Sequence, residues 1–163
     1  MKLKHMIGAL LAATATLGVG GHAAGAPALN FTLHNVVQFS DPGYIGPCNG
    51  SAGTLTVDGR EVFHVTDTGR TFRLSSTLQG SFSVDFTDPA VSDVHGKFVS
   101  IHHENVNYAK LKDLRITDDI HAVAFAADGS SQPVHTMMKV LIGADGSVEV
   151  KIDSTRCGGQ AVG

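Results

Sequence analysis

The sequence has no tryptophan and only two tyrosines, Tyr44 and Tyr108. β-Proteins that bind sugars or biotin usually stack the ligand on such rings, so these ligand classes are disfavoured. Catalytic motifs are also missing, because there is no Gly-x-Ser-x-Gly for a nucleophilic serine and no phosphate-binding glycine loop. The sequence therefore indicates no cofactor and favours a role other than catalysis.

Cysteine is limited to Cys48 and Cys157. Neither lies in a Cys-x-x-Cys pair and no histidine lies within four residues of either, which disfavours a zinc site built on thiolates. In an oxidising compartment an isolated pair forms one disulfide. We therefore predict a Cys48–Cys157 bond that closes most of the domain into one loop and stabilises it by about 4–5 kcal/mol.

Positive charge is scarce, with 12 lysines and arginines against 15 aspartates and glutamates. Removal of an N-terminal segment containing Lys2 and Lys4 leaves 10 against 15, a net charge of −5. Nucleic acids and anionic lipids are bound by basic patches. The sequence therefore predicts no nucleic-acid partner. It also predicts no transmembrane segment, because no stretch after the N-terminal one is apolar enough to cross a bilayer.

The N-terminus has the three parts of a secretory signal peptide. Lys2 and Lys4 are followed by an uncharged stretch at 7–20 and by small residues at 21–28. We predict a bacterial type of signal peptide over 1–26, cleaved between 23 and 28, and a single β domain over 27–163. This organisation predicts a secreted, extracellular protein.

The remaining sequence consists of short runs rich in β-forming residues, separated by Gly and Asp-Gly. These runs are 29–39, 53–57, 61–67, 71–78, 82–87, 97–108, 120–127, 134–142 and 148–153. Such spacing is typical of an antiparallel barrel or sandwich. We expect an all-β antiparallel meander of about 8–9 strands that closes into a barrel, with a β-sandwich as the alternative.

Period-two alternation divides the side chains between two faces, with turns predicted at 58–60, 68–69, 79–81 and 144–146. Phe63 is then expected opposite Leu74, and Met138 opposite Ile152. One buried layer is predicted to contain Phe63, Val65, Phe72, Leu74, Phe82 and Val84. The reverse face is polar and collects His64, Thr66, Arg73, Ser75, Thr77, Ser83, Asp85 and Thr87. In 120–127, we expect His121 on an apolar face with Val123 and Phe125.

Histidine is the enriched functional residue type, and the densest cluster is His102-His103-Glu104. On a strand, His102 and Glu104 share a face while His103 points away. Such a pair can supply two metal ligands, with His121 as the third. His95 and His135 are the other candidates for the third position. An ordinary ion pair on a polar strand face is the competing interpretation.

The chain resembles small secreted bacterial β-barrel proteins of uncharacterised function. The residues that carry this resemblance are Pro47-Cys48-Asn49-Gly50, Gly53-Thr54-Leu55-Thr56-Val57, Val62-Phe63-His64-Val65-Thr66, Val134-His135, Ala144-Asp145-Gly146-Ser147 and Cys157. The resemblance implies a lipocalin-like or avidin-like barrel and carries no functional residue across.

Three functions are consistent with these patterns. The first is a secreted binding protein that holds a small apolar molecule in a barrel pocket or on an exposed sheet face. The second is a metal-binding protein, or a hydrolytic or isomerising enzyme, that uses clustered histidine and glutamate. The third is a cell-envelope or protein-interaction module that pairs with another protein through a sheet edge.

Overall fold

A computed structural model describes residues 28–108, 113–143, 147–158 and 160–162. The predicted signal peptide and the predicted turn at 144–146 lie outside these residues. Among the described residues we find no helix with the length and apolar character needed to cross a bilayer.

The described residues form one antiparallel sheet of eight strands in sequential order, which confirms the all-β meander. The strands are β1 Leu29–Ile45, β2 Ala52–Asp67, β3 Thr71–Phe86, β4 Val94–Asn107, β5 Asp113–Ala126, β6 Ser131–Gly143, β7 Val148–Cys157 and β8 Gln160–Val162. β1 and β8 each pair with a single neighbour, so the described sheet is open and not closed into a barrel. The prediction of a closed barrel was therefore wrong.

The predicted disulfide is confirmed between Cys48, in the loop after β1, and Cys157, at the end of β7. In a flat sheet these strands would lie about 29 Å apart, because neighbouring strands are spaced by about 4.8 Å. The two Cα atoms are 5.8 Å apart. The sheet must therefore curl strongly, although its edge strands do not pair.

One face of the sheet, which we call the core face, lies on the inside of this curl. Its most buried side chains are Val57, Val65, Leu78, Val84, Met138 and Val140, which are 1% to 9% exposed. Since no second layer among the described residues covers this face, the curl of the sheet itself must bury it. The opposite, polar face carries His64, Arg73, Thr77 and Asp85.

The predicted division of side chains between the two faces matches the sheet, but two of the predicted turns were wrong. Residues 58–60 and 79–81 lie in the middle of β2 and β3, where Gly59 pairs with Gly80. Neither glycine has a positive φ, whereas Gly69 in the β2–β3 loop does. Gly59 and Gly80 allow close approach of two continuous strands instead of ending them.

Two predicted cross-strand pairs were wrong as well. Phe63 pairs with Ser76 and not with Leu74, because the β2–β3 connection is longer than the expected turn at 68–69. Met138 pairs with Asp153 and not with Ile152, because the β6–β7 register shifts at Lys139/Val140. The first error is a shift of two residues, so it left the assignment of faces intact.

The orientation of β5 also differs from the expectation. Ala122 and Ala124 lie on the core face, in register with Phe98 and Gly96, while Val123 and Phe125 are on the polar face and 39% exposed. Small side chains suit this part of the core because the ring of Phe82 lies close over Gly96. His121 therefore lies on the polar face, and its predicted place in an apolar layer was wrong.

Candidate metal centre

Two neighbouring strands bring Asp119, His121 and His135 together on the polar face. Asp119 and His121 are two residues apart on β5, so their side chains point to the same side. His121 is the direct cross-strand partner of His135 on β6. The local cause of the cluster is thus strand alternation combined with one cross-strand pair.

The donor atoms of these three side chains converge. Nε2 of His135 lies 2.7 Å from Oδ1 of Asp119, and Nε2 of His121 lies 3.2 Å from the same oxygen. The two imidazole rings stack, with centroids 4.2 Å apart and an angle of 11° between their planes. Because a carboxylate oxygen only accepts hydrogen bonds, Nε2 of His135 acts as a donor to Asp119. His121 approaches the same oxygen at ion-pair distance.

The two distances to Asp119 are close to the spacing of ligands around a small metal ion. One ligand atom from each residue lies within 4.8 Å of the other two. Tetrahedral Zn²⁺ with ligands at about 2.0–2.1 Å places those ligands about 3.3 Å from one another. The two stacked rings would have to rotate for a lone pair of each to point at the same ion, since an imidazole binds a metal in the plane of its ring.

The donor set is typical of a site that keeps a coordination position for another ligand. Two imidazoles and one carboxylate bind Zn²⁺ in catalytic sites and Fe²⁺ in several oxygenases. The His121 side chain is 59% exposed, while those of His135 and Asp119 are about one-third exposed. The cluster is accessible to an ion and to a further ligand from solvent.

The cluster borders a groove of about 960 Å³ that crosses the polar face from β2 to β7. Its central row follows the strand register and consists of Arg60, Gln79, Val99, His121, His135 and Arg156. We call this feature the cross-sheet groove. An arginine lies at each end of this row, two of the candidate ligands, His121 and His135, belong to it, and Lys97 and Val123 lie beside it.

Comparisons with protein-family models, with curated proteins and with solved structures find no match. The resemblance to small secreted bacterial β-proteins therefore stays a prediction from the sequence. The geometry of the chain itself has to support any functional assignment.

The structure does not bring the three predicted metal ligands together. His102 and Glu104 share the core face, as expected for alternate residues of β4, whereas His121 lies on the polar face. Of that set only His121 belongs to the convergent cluster. The Asp-x-His spacing at 119–121 is a signal that could have identified the first two ligands, and His135 then follows from the β5–β6 register.

His102 interacts with a different residue, Asp118, on the core face of the sheet. Its Nδ1 lies 2.6 Å from Oδ1 of Asp118, and both side chains are about 20% exposed. The hydrogen bond to Asp118 is the main cause that raises the pKa of His102 above 6.5. Burial opposes this shift, and the negative charges of Asp118, Glu104 and Glu61 add to it.

This pair predicts a specific dependence of stability on pH. A histidine whose pKa is raised by folding stabilises the fold fully below its unfolded value of about 6.5, and this contribution is lost as pH rises through the folded pKa. We expect His102→Gln to be less stable than wild type by about 1–3 kcal/mol at pH 6, with the difference shrinking toward pH 9. Urea unfolding at several pH values measures this.

The matched control is His103→Gln, because His103 is the exposed neighbour on the opposite face. Its difference from wild type should be small at every pH. A difference between wild type and His102→Gln that stays constant from pH 6 to pH 9 would show that the His102–Asp118 pair does not carry this stabilisation.

Proposed function

We propose that this chain is a secreted metal-binding protein that holds one divalent transition-metal ion, with Zn²⁺ the best fit, at Asp119, His121 and His135. The observation that supports the proposal is the convergence of two imidazole nitrogens on one carboxylate oxygen, at 2.7 Å and 3.2 Å. The ligands are nitrogen and oxygen atoms of the types that zinc binds.

The disulfide supports the extracellular part of the proposal. Bonds such as Cys48–Cys157 persist in oxidising compartments and are rare in the cytoplasm. The sequence pattern of a signal peptide at 1–26 is in accord with export.

The open sheet weakens the case for an apolar ligand held inside a barrel. The cross-sheet groove and two smaller grooves, of about 480 and 500 Å³, all lie on the polar face. A surface site is therefore better supported than an internal one.

Isothermal titration of the tag-free, oxidised protein with Zn²⁺ tests the proposal. We expect one ion per chain, with affinity that falls at acidic pH because protons compete for the imidazoles. His135→Ala and Asp119→Ala should each weaken binding at least about 100-fold, since each removes a direct ligand.

The control variant is His103→Ala, which removes an exposed histidine from the same polar face but outside the cluster. Its zinc affinity should equal that of wild type. Sub-stoichiometric binding, or equal affinities for wild type and His135→Ala, would contradict the proposed site.

A further inference from the structure

We infer that the cross-sheet groove binds an organic anion, one with a carboxylate or phosphate oxyanion and an apolar body, beside the metal centre. This inference rests on the proposed function, because it assigns the ligand class of the same site. It follows from the charges, the apolar surface and the size of the groove.

Three basic side chains line the groove: Arg60, Lys97 and Arg156. Among the described residues, no carboxylate lies within ion-pair distance of any of them. The acidic residue of the groove, Asp58, instead accepts a hydrogen bond of 2.6 Å from the amide of Gln38 on β1. Among the described residues, the groove thus carries more positive than negative charge.

The position of these cations relates them to the metal centre. Arg156 is the cross-strand partner of His135, and directly paired side chains have Cβ atoms about 4.5–5.5 Å apart. Lys97 pairs with Val123, which is two residues from His121 on the same face. An anion on the metal would therefore be within range of cations from two sides.

Charge balance at the centre leads to the same class of ligand. Asp119 supplies one negative charge to a divalent ion and the two histidines bind as neutral rings, so the loaded site keeps a net positive charge. The guanidinium of Arg156, beside His135, adds a second positive charge. An exogenous oxyanion can occupy the remaining coordination position and also accept charge-assisted hydrogen bonds from the guanidinium.

This local charge contrasts with the rest of the molecule. The whole chain carries a formal net charge of −3, yet the groove contains three cations and one carboxylate. Clefts lined by one sign of charge concentrate ligands of the opposite sign. The groove therefore favours an anionic ligand although the chain as a whole carries negative charge.

The apolar part of the inference comes from the floor of the groove. Val99 and Val123 are 37% and 39% exposed and lie between the basic side chains. The volume of about 960 Å³ is near the upper end of the range of small-molecule sites. An anion with a hydrocarbon or aromatic body would cover these valines, whereas an inorganic ion would leave them exposed.

The test uses defined probes on zinc-loaded protein, with binding measured by titration calorimetry. The probes are 4-phenylbutyrate and phenyl phosphate as the two oxyanions, and 4-phenylbutanol as the neutral analogue. We expect at least one oxyanion to bind about tenfold or more tightly than the alcohol, because only the oxyanion can accept charge-assisted hydrogen bonds from the basic side chains. The better of the two probes identifies the oxyanion as carboxylate or phosphate.

Variants connect the binding to the named residues. Arg156→Gln and Lys97→Gln should each weaken anion binding about tenfold without weakening zinc binding. Arg73→Gln is the matched control, because Arg73 is exposed on the same face but lies outside the groove. It should bind the oxyanion as wild type does.

Failure of the inference and failure of the proposed function give different results. If zinc binds and both oxyanions bind no better than the alcohol, or if Arg156→Gln and Lys97→Gln have no effect, the inference is overturned while the metal site stands. If zinc does not bind, the same titrations on metal-free protein decide the inference. Oxyanion binding that requires Arg156 and Lys97 would then support a groove acting through its cations alone, and its absence would overturn the inference as well.

Discussion

Replacement of both cysteines, Cys48→Ser with Cys157→Ser, is expected to lower the free energy of unfolding by about 4–5 kcal/mol. The bond joins residues 109 positions apart, so its loss releases a long loop in the unfolded chain. In the folded state it connects the loop after β1 to the end of β7, across most of the sheet. Typical domains are stable by only 5–15 kcal/mol, so this loss is a large part of the total.

Urea unfolding of the double variant and of oxidised wild type measures this difference. Wild type unfolded in the presence of a reducing agent is the control, and it should match the double variant. Because the curl of the sheet buries the core face, the same comparison also measures how much the burial of that face depends on the disulfide. A loss below about 1 kcal/mol would show that the sheet keeps its curl without the bond.

The two faces of β2 and β3 could be predicted from the sequence because side chains alternate strictly along a strand. Phe63, Val65 and Leu74 lie on the core face, while His64 and Arg73 lie on the polar one. An error of two residues in the pairing of two strands leaves every side chain on the same face. The assignment of faces was therefore robust even where the pairing was not.

The lengths of the strands could not be predicted from the sequence. A glycine in a tight turn and a glycine at a close contact between strands have the same local sequence signature. What distinguishes Gly59 and Gly80 is their pairing with each other across β2 and β3, a contact between distant parts of the chain. The expected runs at 53–57 and 61–67 therefore form one strand, β2, and those at 71–78 and 82–87 form one strand, β3, while the expected total of about 8–9 strands agrees with the eight of the described residues.

The candidate metal site was only partly predictable for a related reason. The density of histidine pointed to metal chemistry, and His121 was among the candidates. The sequence could not show which side of β5 faces the core, because Ala122 and Ala124 alternate with the larger Val123 and Phe125. The alanines face the core, which places His121 and Asp119 together on the outside.

Substitution of Gly80 by alanine is the second change with a large expected effect, a loss of about 3 kcal/mol or more. A Cβ at this position would overlap the carbonyl oxygen of Asp58 and lie 2.6 Å from the Cα of Gly59. Both atoms belong to the backbone of β2, so relief of the overlap requires the two strands to separate. Urea unfolding of Gly80→Ala against wild type measures the loss.

Two further glycines give a graded series that separates close approach from a general effect of glycine replacement. At Gly59 the nearest atom to a new Cβ is the carbonyl oxygen of Gln79 at 2.8 Å, and at Gly43 it is a side-chain oxygen of Asp41 at 3.4 Å. The loss of stability should therefore decrease from Gly80→Ala to Gly59→Ala and be close to zero for Gly43→Ala, since 3.4 Å is an ordinary van der Waals contact that a new Cβ can make without moving its neighbour. Equal losses at all three positions would mean that the β2–β3 contact does not limit the side chain at Gly80. The middle of β2 and β3 would then have room for an ordinary residue.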